Sequence, residues 1–355
     1  MRKIFILTIL LVSAAACSKT DFQESDRAIR LALSVDDIDV TTRVVEADPY
    51  VGAAFSKEHP FNTDVWFTLT PGDYSHDPSQ NEELSIPVHT ILSHTGSDGT
   101  DAMYEGKNIM YPLDENQVEQ NPVFCVGFYP ANEAKPDENE GMVEWNNNNW
   151  IQDSQDDNVV THAITGQQDL MFADLMKGNY NTNFGTQEFK HLLTWVKINV
   201  IATSVEAANA WGMVNSLSIE GSKNTVQIKL TDTFGASSDI SFIGVPFTLQ
   251  TVDEGNPKEL NIRGTLAGSV LCCPPGPKSE TDATVGYWIS VQTVNVSEPK
   301  KVFVPITWED PNDADSSGKL LIINLYFNEV SVVSGVCSLS YWENTSEDLF
   351  LEKVE

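Results

Sequence analysis

From residue 29 onward the chain is written largely in periods of two. Ile29, Leu31, Leu33 and Val35 alternate with Arg30, Ala32 and Ser34. One face of an extended segment is then apolar and the other small or polar, which predicts a half-buried strand. The acidic stretch Asp36-Asp37-Ile38-Asp39 and Thr41-Thr42-Arg43 follow as a polar connector. Apolar alternation or short apolar runs predict further strands at 65–69, 84–92, 123–129, 194–202, 216–219, 225–230, 246–251, 259–266, 287–294, 301–307, 320–332 and 336–341. Helical periods are scarce, with one turn around 170–176 and a short piece at 205–211. Pro71-Gly72-Asp73, Gly96-Ser97-Asp98-Gly99 and Pro274-Pro275-Gly276-Pro277 punctuate the strands as turns. Many short strands without alternating helices predict an all-β fold of antiparallel sandwiches rather than a parallel α/β sheet.

The segment 194–202 is strongly apolar. Val196, Ile198 and Val200 would share one face, and Trp195 and Ile201 the other, so it is expected at the centre of the N-terminal half. The polar stretch 203–209 after it is the expected domain boundary. The predicted organisation is a signal peptide at 1–16, a segment 17–43 that carries the first strand and its polar connector, an N-terminal β-sandwich at 44–205 and a C-terminal one at 206–355. Without residues 1–16, 339 of the 355 residues remain, enough for two domains that each bury a core.

The first seventeen residues carry the targeting information. Arg2 and Lys3 precede nine residues, Ile4 to Val12, that are apolar except for Thr8, and Ser13-Ala14-Ala15-Ala16 leads into Cys17. This is the layout of an export signal. Its apolar run falls far short of the roughly 20 residues that span a bilayer. A Cys after small residues resembles a lipobox, with Ala14 where a Leu is usual, and makes Cys17 the expected site of lipid attachment.

Charge narrows the partners. The chain carries 21 basic and 51 acidic side chains, a net charge of −30. Such a surface repels nucleic-acid phosphates, so no nucleic acid is expected as a partner. Beyond Cys17, the four cysteines Cys125, Cys272, Cys273 and Cys337 allow three pairings, and the sequence selects none. Adjacent Cys272 and Cys273 would point to opposite faces of a strand.

Signatures of catalysis are missing. The chain has no G-x-S-x-G elbow, phosphate-binding glycine loop, H-E-x-x-H or C-x-x-C pair. No enzyme activity, cofactor or metal is expected. His89 and His94, five apart on one strand, would face opposite sides and make a poor metal pair. Asp313-Ala314-Asp315-Ser316-Ser317-Gly318 imitates the first half of a calcium loop, but position twelve is Asn324 where a bidentate Glu is needed. It reads as an acidic turn. Trp145 and Trp150 flank four asparagines, Asn146 to Asn149, and could stack on a sugar ring, although aromatics at strand ends more often close a core.

In chain order, Thr42-Arg43, Phe128-Tyr129-Pro130, Asp169-Leu170-Met171-Phe172-Ala173, Phe189-Lys190-His191 and Trp195-Val196-Lys197-Ile198-Asn199-Val200 stand behind the signal ending at Cys17. Together these elements resemble the fimbrillin (Mfa-like, type V pilin) family of anaerobic Gram-negative bacteria. The resemblance implies two transthyretin-like antiparallel β-sandwich domains in tandem and a lipid-anchored, palmitate-bearing protein on the outer membrane. An Arg-specific protease would cut at Arg43 and release the strand carrying Ile29, Leu31, Leu33 and Val35, and a strand from another fimbrial subunit would fill the groove. Arg27 and Arg30 are alternative cut sites that would leave most of the strand in place. The function so implied is that of a fimbrial subunit, tip or surface adhesin, with other subunits and a host protein or glycan receptor as partners. A surface glycan-binding lipoprotein is the alternative reading, and a secreted hydrolase with two facing carboxylates is the third.

Overall fold

The computed structural model describes residues 29, 31–35, 43–44, 53–54, 61–74, 88–94, 103–104, 109, 111, 122–132, 134–136, 143–145, 149–252, 255–307, 317–328 and 333–341. In chain order the first strands are β1 (Ala32–Val35), β2 (Arg43–Val44), β3 (Ala53–Ala54), β4 (Phe61–Thr68), β5 (Val88–His94), β6 (Met103–Tyr104) and β7 (Val123–Tyr129). Next come β8 (Ala134–Pro136), β9 (Val143–Trp145), β10 (Ile151–Gln152), β11 (Val159–Ala163), β12 (Met171–Gly178), β13 (Thr186–His191) and β14 (Thr194–Ala202). The helix α1 (Val205–Trp211) is followed by β15 (Val214–Lys229), β16 (Asp239–Val252), β17 (Thr265–Cys272) and β18 (Gly276–Ser279). The last four are β19 (Asp282–Thr293), β20 (Val296–Pro305), β21 (Lys319–Phe327) and β22 (Val333–Tyr341). The fold is all-β.

Three sheets carry the structure. The first runs in the order β1-β13-β12-β7-β4-β5-β6, and the third in the order β17-β14-β21-β22. The second runs β10-β11-β15-β19-β18, with β16 paired to β15 and β20 to β19. β2–β3 and β8–β9 form separate two-stranded ribbons.

The first sheet is apolar on both faces, and β7 shows why. All seven of its residues are buried. Phe124, Val126 and Phe128 point into one core and Val123, Cys125 and Tyr129 into another. A strand covered on both sides loses its polar alternation, so 123–129 reads as a continuous apolar run. The first of these cores joins Trp66, Phe128 and Phe172 to Val226 and Ile228 of β15 and to Trp195, Leu271 and Leu320. Residues on both sides of the stretch 203–209 therefore share it. The other holds Ile29, Leu31 and Leu33 against β4, β7, β12 and β13. A third core lies between the second and third sheets, where Val196, Ile198 and Val200 meet Leu217, Ile289, Val304 and Ile323.

The segment 194–202 is a central strand, but not of the N-terminal half as expected. β14 pairs antiparallel with β17 and parallel with β21, and all other strands of its sheet come from residues 265–341. The cause is its two apolar faces, one feeding the core of Val196 and the other burying Trp195. The segment 170–176 is strand rather than a helical turn. Phe172 and Met171 enter different cores, a two-sided demand that long-range pairing meets and a single helical turn does not. The strands expected at 216–219 and 225–230 are one, β15, carried through Gly221 at φ 77° with register shifts against β16. The strand expected at 259–266 starts later, at Thr265, after a turn through Gly264 at φ 84°. α1 stands at 205–211 as expected, its first turn capped by Ser204, whose Oγ accepts from the Ala207 N–H at 3.0 Å.

Candidate functional site

The alternation at 29–35 builds a strand at the end of the first sheet. β1 runs parallel to β13, with Ala32 opposite Thr186, Leu33 opposite Gln187 and Val35 opposite Phe189. Just upstream, the Ile29 N–H donates to the Ile109 carbonyl at 2.8 Å. Ile29, Leu31 and Leu33 are buried, at 1, 5 and 5% exposure. Transfer of three such side chains from water contributes about 5–9 kcal/mol, an upper bound before the strand's ordering entropy.

Aromatic rings floor the groove under β1. Phe61 stacks on Tyr129 at 5.1 Å and meets Phe189 edge-on at 5.2 Å. Tyr111 stacks on Phe184 at 6.0 Å, and its hydroxyl donates to Asn183 Oδ1. The first half of β13 crosses over β7, and Gly127 makes room for it. A Cβ at 127 would stand 2.4 Å from Phe189 Cζ and 3.2 Å from Gln187 Nε2. Gly127→Ala should therefore destabilise the protein by about 1–3 kcal/mol, the usual range for overpacking a core, read as a lower urea midpoint at unchanged slope.

Two buried polar groups in this region escape sequence reasoning. His191 Nδ1 lies 2.7 Å from Asp169 Oδ2, with both side chains almost fully enclosed. The pair ties the start of β12 to the end of β13, beside the Met171 and His191 register pair. Gln187 is fully buried among the residues that contact β1, and neither its Oε1 nor its Nε2 has a hydrogen-bond partner. No spacing rule singles out a lone Gln or a His and an Asp twenty-two residues apart.

Arg43 stands on the separate ribbon, opposite Ala54. Cys17, the signal segment 1–16, Arg27 and Arg30 lie outside the described residues, and of Val35 only the backbone is described. No helix among the described residues is long and apolar enough to cross a membrane.

The other candidates resolve differently. Trp150 is not half of a sugar platform. It is 1% exposed, packed on Phe128 at 5.2 Å and His162 at 4.9 Å, and its backbone N–H donates to Asn132 Oδ1 at 2.7 Å. Its ring is worth more to the shared core than to solvent. The side chain of Trp145 lies outside the described residues, as do residues 313–316 of the acidic turn. Asn324 accepts a hydrogen bond from Asn199 Nδ2 at 3.0 Å across β14 and β21. Among the described residues no group of three or more His, Cys, Asp or Glu comes together as a metal site.

Cys125, Cys272, Cys273 and Cys337 are free thiols. Cys272, the last residue of β17, faces the third core, and Cys273 just beyond it faces the shared one, the alternation of an extended chain. Burial pushes the Cys125 and Cys272 thiols well above their ordinary range and that of Cys337 up to about 12. These three thiols are not primed as nucleophiles.

No protein-family model matches the chain, and no curated protein does. Solved structures similar to it include a provisionally named cell adhesion protein from Bacteroides uniformis. That match covers 90% of this chain and 100% of the other at 14% identity, with a TM-score of 0.48. A fimbrial protein from Bacteroides vulgatus matches over 89% of this chain and 99% of its own at 14% identity and a TM-score of 0.42. For a provisionally named adhesin from Bacteroides thetaiotaomicron the coverage is 89% and 97%, the identity 8% and the TM-score 0.44.

Proposed function

We propose that the chain is a surface lipoprotein of the bacterial outer membrane, anchored through Cys17, that serves as a fimbrial subunit, tip or adhesin and assembles by strand exchange. The observation that carries this reading is β1 itself. Three apolar side chains of an end strand lie buried in a core, and Arg43 follows on a ribbon that, among the described residues, joins none of the three sheets. Hydrolysis of the Arg43–Val44 peptide bond would leave residues 17–43 bound by side-chain burial and main-chain pairing alone. An incoming strand with the same alternation could then take the groove, its main chain supplying affinity and its side chains register. The displaced piece would stay with the lipid.

Limited digestion of the purified protein from residue 17 onward with an Arg-specific protease tests this. The expected result is a compact product starting at Val44 that forms ladders on a non-boiled gel, while Arg43→Ala stays uncut at this bond and monomeric. A product starting at Val44 that remains monomeric at high concentration would overturn polymerisation and leave a surface lipoprotein.

A further inference from the structure

The groove under β1 contains one side chain that its resident strand does not satisfy. Gln187 is fully enclosed, and among the described residues neither its amide oxygen nor its amide nitrogen has a partner. A buried amide left unmatched costs more than a hydrogen bond between two matched groups returns. The residue opposite Gln187 in the parallel register is Leu33. Paired residues of parallel strands present their side chains on the same face, and Leu33 offers no polar atom. On the floor below lies Gly127, which has no side chain either, with its Cβ position 3.2 Å from Gln187 Nε2. Phe189, the next buried residue of β13, is apolar as well.

We infer that Gln187 is a specificity-determining residue of the groove, selecting for an occupying strand that carries a short hydrogen-bonding side chain, Ser, Thr or Asn, at the position of Leu33. Such a side chain sits one strand spacing from the amide and can both accept from Nε2 and donate to Oε1. The resident strand is then a deliberately poor match at one position, held by Ile29, Leu31 and Leu33 but replaceable by a strand that also satisfies Gln187. It also fixes register, because a slip of one residue would turn the polar side chain away from the amide.

This inference rests on the strand-exchange reading, and two measurements separate its failure from that of exchange itself. The first is a stability cycle on the uncut chain, comparing the wild type with Leu33→Thr, Gln187→Leu and the double variant in urea. If the introduced threonine hydroxyl satisfies Gln187, adding Leu33→Thr should raise the unfolding equilibrium constant less in the wild-type background than in the Gln187→Leu background. The expected difference is about tenfold, the weight of one satisfied buried group. Equal losses in the two backgrounds would overturn the inference whether or not exchange occurs. The second uses protein nicked at a recognition site inserted within 36–42, challenged with synthetic peptides of residues 27–37 carrying Leu33 or Leu33→Thr. The ratio of displacement by the Thr peptide to displacement by the Leu peptide should be about tenfold higher for the wild type than for Gln187→Leu. The same ratio in both proteins overturns the role of Gln187. Displacement by neither peptide, with a positive stability cycle, overturns exchange and leaves Gln187 a packing mismatch only.

Discussion

Replacing Leu31 and Leu33 together by Ala should detach the first strand from the uncut protein. Both are buried against aromatic rings, and each Leu→Ala change in a core costs about 2–5 kcal/mol. Together they remove about 4–10 kcal/mol, comparable with the whole stability of many domains. Because β1 lies at the end of its sheet, the loss should appear first as local opening. Hydrogen exchange should accelerate at residues 31–35 and 186–189 well before global unfolding. A dye that binds apolar surface should fluoresce with the double variant and not with the wild type. Protection at 186–189 unchanged from the wild type would show that β1 contributes little to holding β13.

The second large effect is a dependence on pH set by Asp64. This residue lies on β4 at 3% exposure, and burial pushes its carboxyl up to about 7, with the Trp66 side chain offsetting part of the rise. The folded state therefore favours the protonated form. Below the ordinary carboxylate pKa of 3.8 Asp64 is protonated in both states and its contribution is fully present. Between about pH 4 and pH 7 the unfolded chain has released this proton and the folded one retains it, so stability declines by about 1.4 kcal/mol per pH unit. Above pH 7 the decline levels off after a total of about 4 kcal/mol. Asp64→Asn should remove that slope and raise the urea midpoint at pH 8, leaving it nearly unchanged at pH 4. A wild-type profile that rises from pH 4 to pH 7 with the same slope as the variant would show that Asp64 is ionised in the folded protein.

The legible parts of this fold are those where one face of a strand is wet. Ile29, Leu31 and Leu33 alternate in sequence with Arg30, Ala32 and Ser34, and the segment could be read as a half-buried strand from its own residues. Ser204 and Trp211 likewise bracket α1 by local capping and burial. The illegible parts are strands whose two faces serve two cores. β12 and β14 carry apolar residues on both sides, so periodicity shows neither their sheet nor their neighbours. The partners of β14 lie far along the chain, and no local pattern in 194–202 names them. Gln187 was silent for a related reason. A glutamine between Thr186 and Glu188 looks like solvated surface, and only the crossing of β13 over β7 encloses it.

The parallel pairing of β14 with β21 has a consequence for the birth of the protein. Asn199 and Asn324, bonded across these strands, are 125 residues apart, and synthesis proceeds from the N-terminus. When residues 194–202 emerge, their antiparallel partner is still about seventy residues from completion and their parallel partner farther still. Closing loops of that length precedes any reward from pairing, which makes this the slow step of folding. Until β17 is complete, Trp195, Val196, Ile198 and Val200 lie on an apolar strand with two open edges, and until β21 is complete one edge stays open as a template for pairing with another chain. The nascent protein thus needs a holding chaperone most between the appearance of β14 and that of β21, and truncations ending in this window should be the most prone to aggregate.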